Sequence, residues 1–129
     1  MKTPEHAELW AAVTSVYDAF LAGDRAAVDR MIDPEATVWD AFEEQLARGR
    51  KELDALRETR PPDGPRPLEL RAIDPVIDIY GEIGVVRHLL LVRYAPDAGE
   101  PEQRVRNTSV WQRRDGRWLC VHNHEDLLG

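Results

Sequence analysis

Three titratable side chains are candidates for acid–base chemistry in a pocket: Asp40, His88 and Glu125. Burial against apolar walls moves the pKa of a carboxylic acid or an imidazole towards the working pH, as a general acid or base requires. On this hypothesis His88 or Asp40 is the general base, and Glu125 is the acid or orients the histidine. The alternative is that these groups satisfy one another, or bind water, in an inactive polar core.

His122 and His124 stand at alternate positions, so on a strand both imidazoles share one face and can chelate zinc or another borderline metal. No spacing identifies a third ligand, and Cys120, the only cysteine, cannot form a cysteine zinc site. We therefore expect no metal. The alternative that we favour is a pair of imidazoles hydrogen-bonded within a dimer interface, where titration near neutrality makes association sensitive to pH.

Trp39 and Asp40 allow two interpretations. They are either a lid and an acid at a pocket, or a core tryptophan followed by the N-cap of a helix. Cys120, between Leu119 and Val121, is expected to be a small buried residue and not a nucleophile. The sequence contains no GxGxxG, P-loop or GxSxG motif, so serine-hydrolase chemistry and nucleotide binding lack support. We expect no cofactor.

The bulk composition favours a single domain over residues 1–129. The chain is 43% hydrophobic and 32% charged, the balance of a globular protein that can bury one core. The net charge of −7 repels phosphate backbones and anionic lipids, so we expect no nucleic acid and no membrane as partners. The N-terminus lacks the apolar stretch of a secretory signal, which makes the cytoplasm the expected location.

Hydrophobic periodicity predicts helices in the first half of the chain. Apolar residues recur at three- and four-residue spacing from Glu5 to Ala22, as in an amphipathic helix. The following predicted elements are a short helix after Gly23-Asp24 that ends near Asp33-Pro34, a strand at 36–40, a helix at 50–59 and a proline-rich linker at 60–67.

The second half changes to period two and to β-branched residues, which predicts strands at 68–80, 84–94, 104–114 and 117–125. Asp115-Gly116 and Gly81-Glu82 are typical of tight turns, and 96–101 is a longer loop. These connections predict an antiparallel meander. Asp74-Pro75 within the first of these strands indicates a bulge that curls the sheet.

This order of elements resembles the nuclear transport factor 2-like superfamily, which includes SnoaL-like cyclases and ketosteroid isomerases. The run from Thr108 to His124, with its Trp, Arg-Arg-Asp-Gly, Trp and Val-His-x-His elements, resembles the association (hub) domain of calcium/calmodulin-dependent protein kinase type II. The resemblance implies an α+β fold, a cone-shaped α+β barrel with N-terminal helices packed on a strongly bent antiparallel sheet. We expect a stand-alone relative of the hub fold.

If the hub pocket positions mark the concave face, strand alternation assigns it thirteen residues. They are Val86, His88, Leu90, Val92, Tyr94, Val105, Asn107, Ser109, Trp111, Leu119, Val121, Asn123 and Glu125. The same alternation puts His122 and His124 with Trp118 and Cys120 on the opposite face, and a bulge would reverse this. Besides the acid–base candidates, the expected ligand-binding residues are Trp39, Tyr94, Asn107, Ser109, Trp111, Asn123 and His124.

The hub pocket holds a small carboxylate with arginines, and this chain has Leu90, Ser109 and Glu125 at those positions, so we do not expect the same ligand. Two functional hypotheses remain. One is a small-molecule-binding SnoaL-like protein, with or without catalysis as a cofactor-independent isomerase, cyclase or dehydratase. The alternative is a non-catalytic homo-oligomerisation module. The superfamily resemblance implies a homodimer or a higher homo-oligomer in either case.

Overall fold

The structure of the protein is a computed structural model that describes residues 3–61 and 64–128. Its elements in chain order are α1 Pro4–Leu21, α2 Arg25–Arg30, β1 Ile32–Trp39, β2 Ala47–Arg48, α3 Gly49–Glu58, β3 Pro67–Tyr80, β4 Ile83–Tyr94, a 3-10 turn Pro96–Ala98, β5 Gln103–Arg114 and β6 Arg117–Leu127. The predicted helices and the four long strands are confirmed to within one or two residues at most ends. Pro62 and Asp63 of the predicted linker lie outside the described residues.

Helix α1 begins where its local chemistry favours a start. The Thr3 side chain accepts a hydrogen bond from the backbone N–H of His6 at 3.3 Å, and Pro4 occupies the first turn, where no donor is lost. Leu9 and Val13 are buried on one face of the helix. The helix ends at Leu21, before Gly23 at φ +72°, a conformation that glycine adopts without steric cost.

The sheet has six strands in the order β2-β1-β6-β5-β4-β3. The meander from β3 to β6 is antiparallel, as predicted, but β1 pairs with β6 in parallel, so the sheet is mixed and not wholly antiparallel. It is also open, with β2 and β3 at its edges, and not a closed barrel. Strand β1 takes the edge of β6 that the meander leaves unpaired, which satisfies that row of backbone groups.

Strand β1 begins at Ile32, four residues earlier than predicted. The sequence suggests that Asp33-Pro34 ends a helix, but the structure places both residues in the strand. The register between β1 and β6 shifts between Ile32 and Thr37. Proline has no backbone N–H to donate, so it is tolerated at such an irregularity, where the regular hydrogen-bond ladder is interrupted.

Two bulges shape the long strands. The predicted bulge at Asp74-Pro75 is confirmed, because the register with β4 shifts between Ile73 and Val76 and Asp74 has φ 57°. A second register shift, opposite Val110 and Trp111, leaves Val121 as an extra residue in β6. Side chains therefore change faces at this point.

The second bulge corrects part of the predicted face assignment. Trp118 and Cys120 are buried on the concave side, together with Trp111, whereas the prediction placed them outside. Leu119 pairs with Gln112 and lies on the other side, so its predicted inward position is wrong. The reason is that the run Leu119-Cys120-Val121 is apolar throughout, so alternation alone does not reveal the bulge.

The concave side of the sheet, which we call the cone, packs on α1. One cluster of buried residues joins Leu9 and Val13 of α1 to Val86, Trp111 and Trp118. A second cluster, of Leu90, Val92 and Val105, packs against Tyr17 and Tyr94. No helix among the described residues is both long and apolar enough to cross a bilayer.

Candidate functional site

A row of polar side chains crosses the cone on three neighbouring strands. His88 of β4 pairs with Asn107 of β5, and Asn107 pairs with Glu125 of β6. We call these three residues the inner polar row. His88 is 5% exposed, Asn107 is 4% exposed and Glu125 is half-buried. The structure thus brings together two of the three predicted acid–base residues with a predicted ligand-binding residue.

His88 is held between the sheet and α1. Its Nε2 atom forms a 2.8 Å hydrogen bond with the Tyr17 hydroxyl group, and the ring lies edge-on to Trp10 at a centroid distance of 5.4 Å. Burial lowers the pKa of His88 to about 4, because the apolar surroundings disfavour the imidazolium ion. The imidazole is therefore neutral at neutral pH, and one of its two nitrogen atoms is already engaged.

Asn107 and Ser109 are tied to their neighbours. The Asn107 amide donates to the side-chain oxygen of Asn123 at 3.0 Å, and the Trp111 indole N–H donates to the Ser109 hydroxyl group at 2.8 Å. Within the described residues, His88 Nδ1 and Asn107 Oδ1 are buried atoms without a hydrogen-bond partner. Each such atom leaves a polar group desolvated, which costs free energy unless a ligand or water satisfies it.

Glu125 lies near the C-terminal end of β6, close to Asp40 and Arg60; we call these three residues the mouth of the cone. Trp39 pairs with His124, so Asp40 continues β1 to the level of Glu125. Burial raises the pKa of Glu125, and the negative charge of Asp40 raises it further. A hydrogen bond from Asn107 and the charge of Arg60 oppose this rise.

The three acid–base candidates differ in how well their surroundings suit them to proton transfer. His88 is too weak a base at neutral pH, and its Nε2 atom is hydrogen-bonded to Tyr17. The Asp40 carboxylate accepts a hydrogen bond from Arg60 at 3.0 Å and another from the backbone N–H of Phe42 at 2.9 Å. Glu125 is the half-buried carboxyl group with a raised pKa, so it is the best suited of the three to carry a proton.

The structure places two predicted ligand-binding residues outside the cone. Trp39 and His124 lie side by side on the opposite face of the sheet, with ring centroids 5.6 Å apart. The Trp39 indole N–H donates to the Glu44 carbonyl oxygen at 3.0 Å, and the side chain is 41% exposed. Trp39 is thus neither a core tryptophan nor close to the inner polar row. Asp40 caps a local turn at Phe42, whereas α3 begins only at Gly49.

His122 shares the face of His124, as predicted. Its Nδ1 atom forms a 2.7 Å hydrogen bond with the Thr37 hydroxyl group of β1. In the part of the chain that the structure describes, no group of three or more His, Cys, Asp or Glu side chains is close enough to hold a metal ion. Cys120 is buried, and burial raises the pKa of its thiol to about 12, which disfavours the nucleophilic thiolate.

Tyr17 is the site residue that sequence reasoning missed, because it belongs to the apolar stripe of α1. Its hydroxyl group reaches His88 across 71 positions of sequence. Burial raises the pKa of this phenol, and the charge of Glu125 adds to the effect. A tyrosine in an otherwise apolar helix stripe was the available signal, since a buried phenol needs a polar partner.

The arginines of the C-terminal motif hold elements of the fold together. Arg113 forms ion pairs with Glu5 of α1 at 2.6 Å and with Glu82 at 3.1 Å, and its guanidinium group lies 5.2 Å from the centroid of Trp118. Arg114 pairs with the buried Asp33 of β1. The backbone N–H of Glu35 and the Arg114 guanidinium group keep the pKa of Asp33 below its usual value.

The side of the sheet that points away from α1, which we call the outer face, is partly apolar. Strands β4 and β5 present the half-exposed residues Val85, Leu89, Leu91 and Val110 on this side. Two shallow grooves cross it, with volumes of about 190 Å³ and 320 Å³. The residues that line the grooves include Val76, Arg87, Leu89, Arg106, Thr108, His124 and Asp126.

Helices on the concave side of a curled mixed sheet, with a polar row inside the cone, define the nuclear transport factor 2-like class of domain. A nuclear transport factor 2-like protein from Cytophaga hutchinsonii superposes with a TM-score of 0.79 at 11% identity, covering 98% of this chain and 100% of the other. At this identity the likeness shows the fold alone.

The sequence itself gives a narrower assignment. The family profile of the calcium/calmodulin dependent protein kinase II association domain matches residues 5–128, and the chain belongs to this family. The CamKII hub homology domain of Chlamydamonas reinhardtii superposes with a TM-score of 0.80 at 25% identity, covering 97% of this chain and 99% of that one. The predicted resemblance is therefore confirmed.

A much longer protein contains a segment similar to this chain. Calcium/calmodulin-dependent protein kinase type II subunit delta of Oryctolagus cuniculus is 26% identical over 122 residues. The match covers 91% of this chain but only 22% of that protein. The chain thus corresponds to less than a quarter of this curated relative.

Proposed function

We propose that this protein is a homo-oligomerising module that associates through the outer face of its sheet. The observation that carries the proposal is the apolar centre of that face, formed by Val85, Leu89, Leu91 and Val110 on the two central strands of the meander. These side chains are half-exposed in the single chain, whereas the inner face of the same strands is covered by α1. A second copy would remove this apolar surface from water.

The charges around the apolar centre favour such an interface. Arg106 pairs with Asp126 at 2.8 Å, Arg93 pairs with Glu69 at 3.0 Å, and Arg87 pairs with Asp78. Charges that are already paired within one chain are less costly to desolvate than isolated charges. An apolar centre with a polar rim is the usual composition of a protein interface. The names "association domain" and "hub" that the relatives carry support self-association as well.

Substitution of Val110 by glutamate tests the proposal. Val110 lies between Val85 and His122 at the middle of the outer face, so a carboxylate there would be buried without a partner in the assembly. Ala11→Glu is the matched control, because Ala11 is exposed on α1 and the added charge is the same. Size-exclusion chromatography with light scattering is the measurement.

We expect an oligomer for the wild type and for Ala11→Glu, and a shift to monomer for Val110→Glu at the same protein concentration. Circular dichroism checks that the variant keeps its fold. A wild-type protein that is monomeric at high concentration contradicts the proposal. An oligomer that Val110→Glu leaves intact contradicts the outer face as the interface.

A second candidate function is the binding of a small molecule in the cone, with Glu125 as the proton carrier if chemistry occurs. It is supported by the unpartnered Asn107 Oδ1 and His88 Nδ1 atoms of the inner polar row. Buried polar atoms of this kind commonly have a bound molecule as their hydrogen-bond partner. A crystal structure with an ordered molecule hydrogen-bonded to Asn107 Oδ1 would support this candidate, and one in which the protein's own side chains satisfy both atoms would contradict it.

A further inference from the structure

The mouth of the cone contains two carboxyl groups and one cation. The negative charge of Asp40 disfavours ionisation of Glu125, whereas the positive charge of Arg60 favours it. The Arg60 guanidinium group pairs with Asp40 at 3.0 Å, and its side chain is 47% exposed, so solvent weakens its effect. The Asp40 side chain is only 17% exposed. One negative charge in the mouth therefore remains uncompensated when Glu125 is ionised.

A second, independent observation lies next to Glu125. Asn107 is 4% exposed, and its amide nitrogen is used by Asn123, but its Oδ1 atom has no partner among the described residues. A carbonyl oxygen accepts and cannot donate, so only a donor can satisfy it. Asn107 pairs with Glu125 across the strands, which puts this free acceptor beside the carboxyl group.

The walls next to these acceptors are apolar and aromatic. Leu90, Val92 and Val105 form a buried cluster that packs against Tyr17 and Tyr94. Such a surface accommodates a small apolar group, and the faces of tyrosine rings attract a cation.

We propose that the mouth of the cone binds an organic cation, namely an ammonium or amidinium group on a small apolar body. The positive charge complements Asp40 and Glu125, an N–H donor satisfies Asn107 Oδ1, and the apolar body lies against the wall formed by Tyr17 and its neighbours. Carboxylate ligands are disfavoured, because Glu125 repels them. The inference rests on the second candidate function, ligand binding in the cone, and is independent of self-association through the outer face.

Three isosteric probes of different charge test the proposal: benzamidine, which is a cation, benzamide, which is neutral, and benzoate, which is an anion. Isothermal titration calorimetry on the full chain measures their affinities. We expect benzamidine to bind about tenfold to a hundredfold more tightly than benzamide, since a hydrogen bond to a charged group is stronger than a neutral one. No binding of benzoate is expected.

Glu125→Gln removes the charge with little change of shape, and it should reduce the affinity for benzamidine to that for benzamide. Asp40→Asn serves as a second variant in case Glu125→Gln does not fold, and it should weaken benzamidine binding as well. Glu8→Gln is the matched control, because Glu8 is exposed on α1 and is not one of the residues of the mouth. Its affinity for benzamidine should equal that of the wild type.

The outcomes separate the two hypotheses. If benzamide or benzoate binds as tightly as benzamidine, the cone holds small molecules but the proposed cation preference is wrong. If none of the three probes binds, both the ligand site and the cation preference are overturned. If benzamidine binding is unchanged in Glu125→Gln and Asp40→Asn, the bound cation lies elsewhere and the proposal is overturned. Light scattering on the same samples reports on self-association separately.

Discussion

His88 couples the stability of the protein to pH. Its pKa is lowered from 6.5 to about 4 in the folded chain by burial, whereas the unfolded chain exposes the ring to water. Above the unfolded pKa the histidine is neutral in both states and has no effect. As the pH falls from 6.5 towards 4, the unfolded state binds a proton that the folded state does not, and the free energy of unfolding decreases.

We therefore predict that His88→Gln makes the protein less sensitive to acid. The pKa difference corresponds to a loss of about 3 kcal/mol in the wild type between these pH values, and the amide of glutamine does not titrate. Urea unfolding of both proteins at about pH 7 and about pH 4.5 measures the difference. His6→Gln is the matched control, because it replaces a histidine at the start of α1, outside the core, by the same residue.

An equal loss of stability in the wild type and in His88→Gln on acidification would contradict the assignment of this pH dependence to His88. The comparison depends on the difference between the two proteins, so the carboxyl groups that titrate in the same range cancel. Tyr17 remains as a hydrogen-bond partner for the glutamine amide, which limits the cost of the substitution at neutral pH.

The packing of α1 on β4 depends on the absence of a side chain at Gly84. A Cβ atom at this position would overlap the end of the Leu9 side chain and approach Trp118 to 3.4 Å. Leu9 is 0% exposed, so any displacement of its side chain would disturb the core. The glycine thus permits close contact between helix and sheet, since interiors are packed as densely as crystals.

We predict that Gly84→Ala destabilises the protein by about 1–3 kcal/mol, the usual cost of overpacking a core. In a Leu9→Ala background the same substitution should cost less, because the overlapping methyl group has been removed. Chemical denaturation of the four proteins of this double-mutant cycle measures the coupling. Additive effects of the two substitutions would contradict the contact between Leu9 and position 84.

Self-association at the scale of the whole molecule links stability to protein concentration. If the outer face is buried in an oligomer, the folded subunits are stabilised by mass action, and the Tm rises with protein concentration. We expect this rise in the wild type and its absence in Val110→Glu, measured by differential scanning calorimetry over a hundredfold range of concentration. A Tm of the wild type that does not depend on concentration would speak against a stabilising interface.

Local patterns in the sequence were sufficient for most of the elements. The three-to-four spacing of α1, the alternation in β3 to β6 and the bulge at Asp74-Pro75 arise from neighbours along the chain, and all three agree with the structure. The family was recognisable as well, because the run from Thr108 to His124 is specific. The arginines of this run were recognisable as part of a motif, but the ion pairs that they form with other elements were not.

Long-range contacts decided the rest. The parallel pairing of β1 with β6 depends on which strand edge stays free, and no residue near β1 encodes that choice. The prediction for Trp118 and Cys120 was reversed, because the extra residue Val121 breaks the alternation between them and the later residues Asn123 and Glu125. Tyr17 meets His88, and Asp40 meets Glu125, only after α1 and β1 have packed on the meander. Burial then sets the pKa of His88 and Glu125, and burial is a property of the folded chain and not of a residue type.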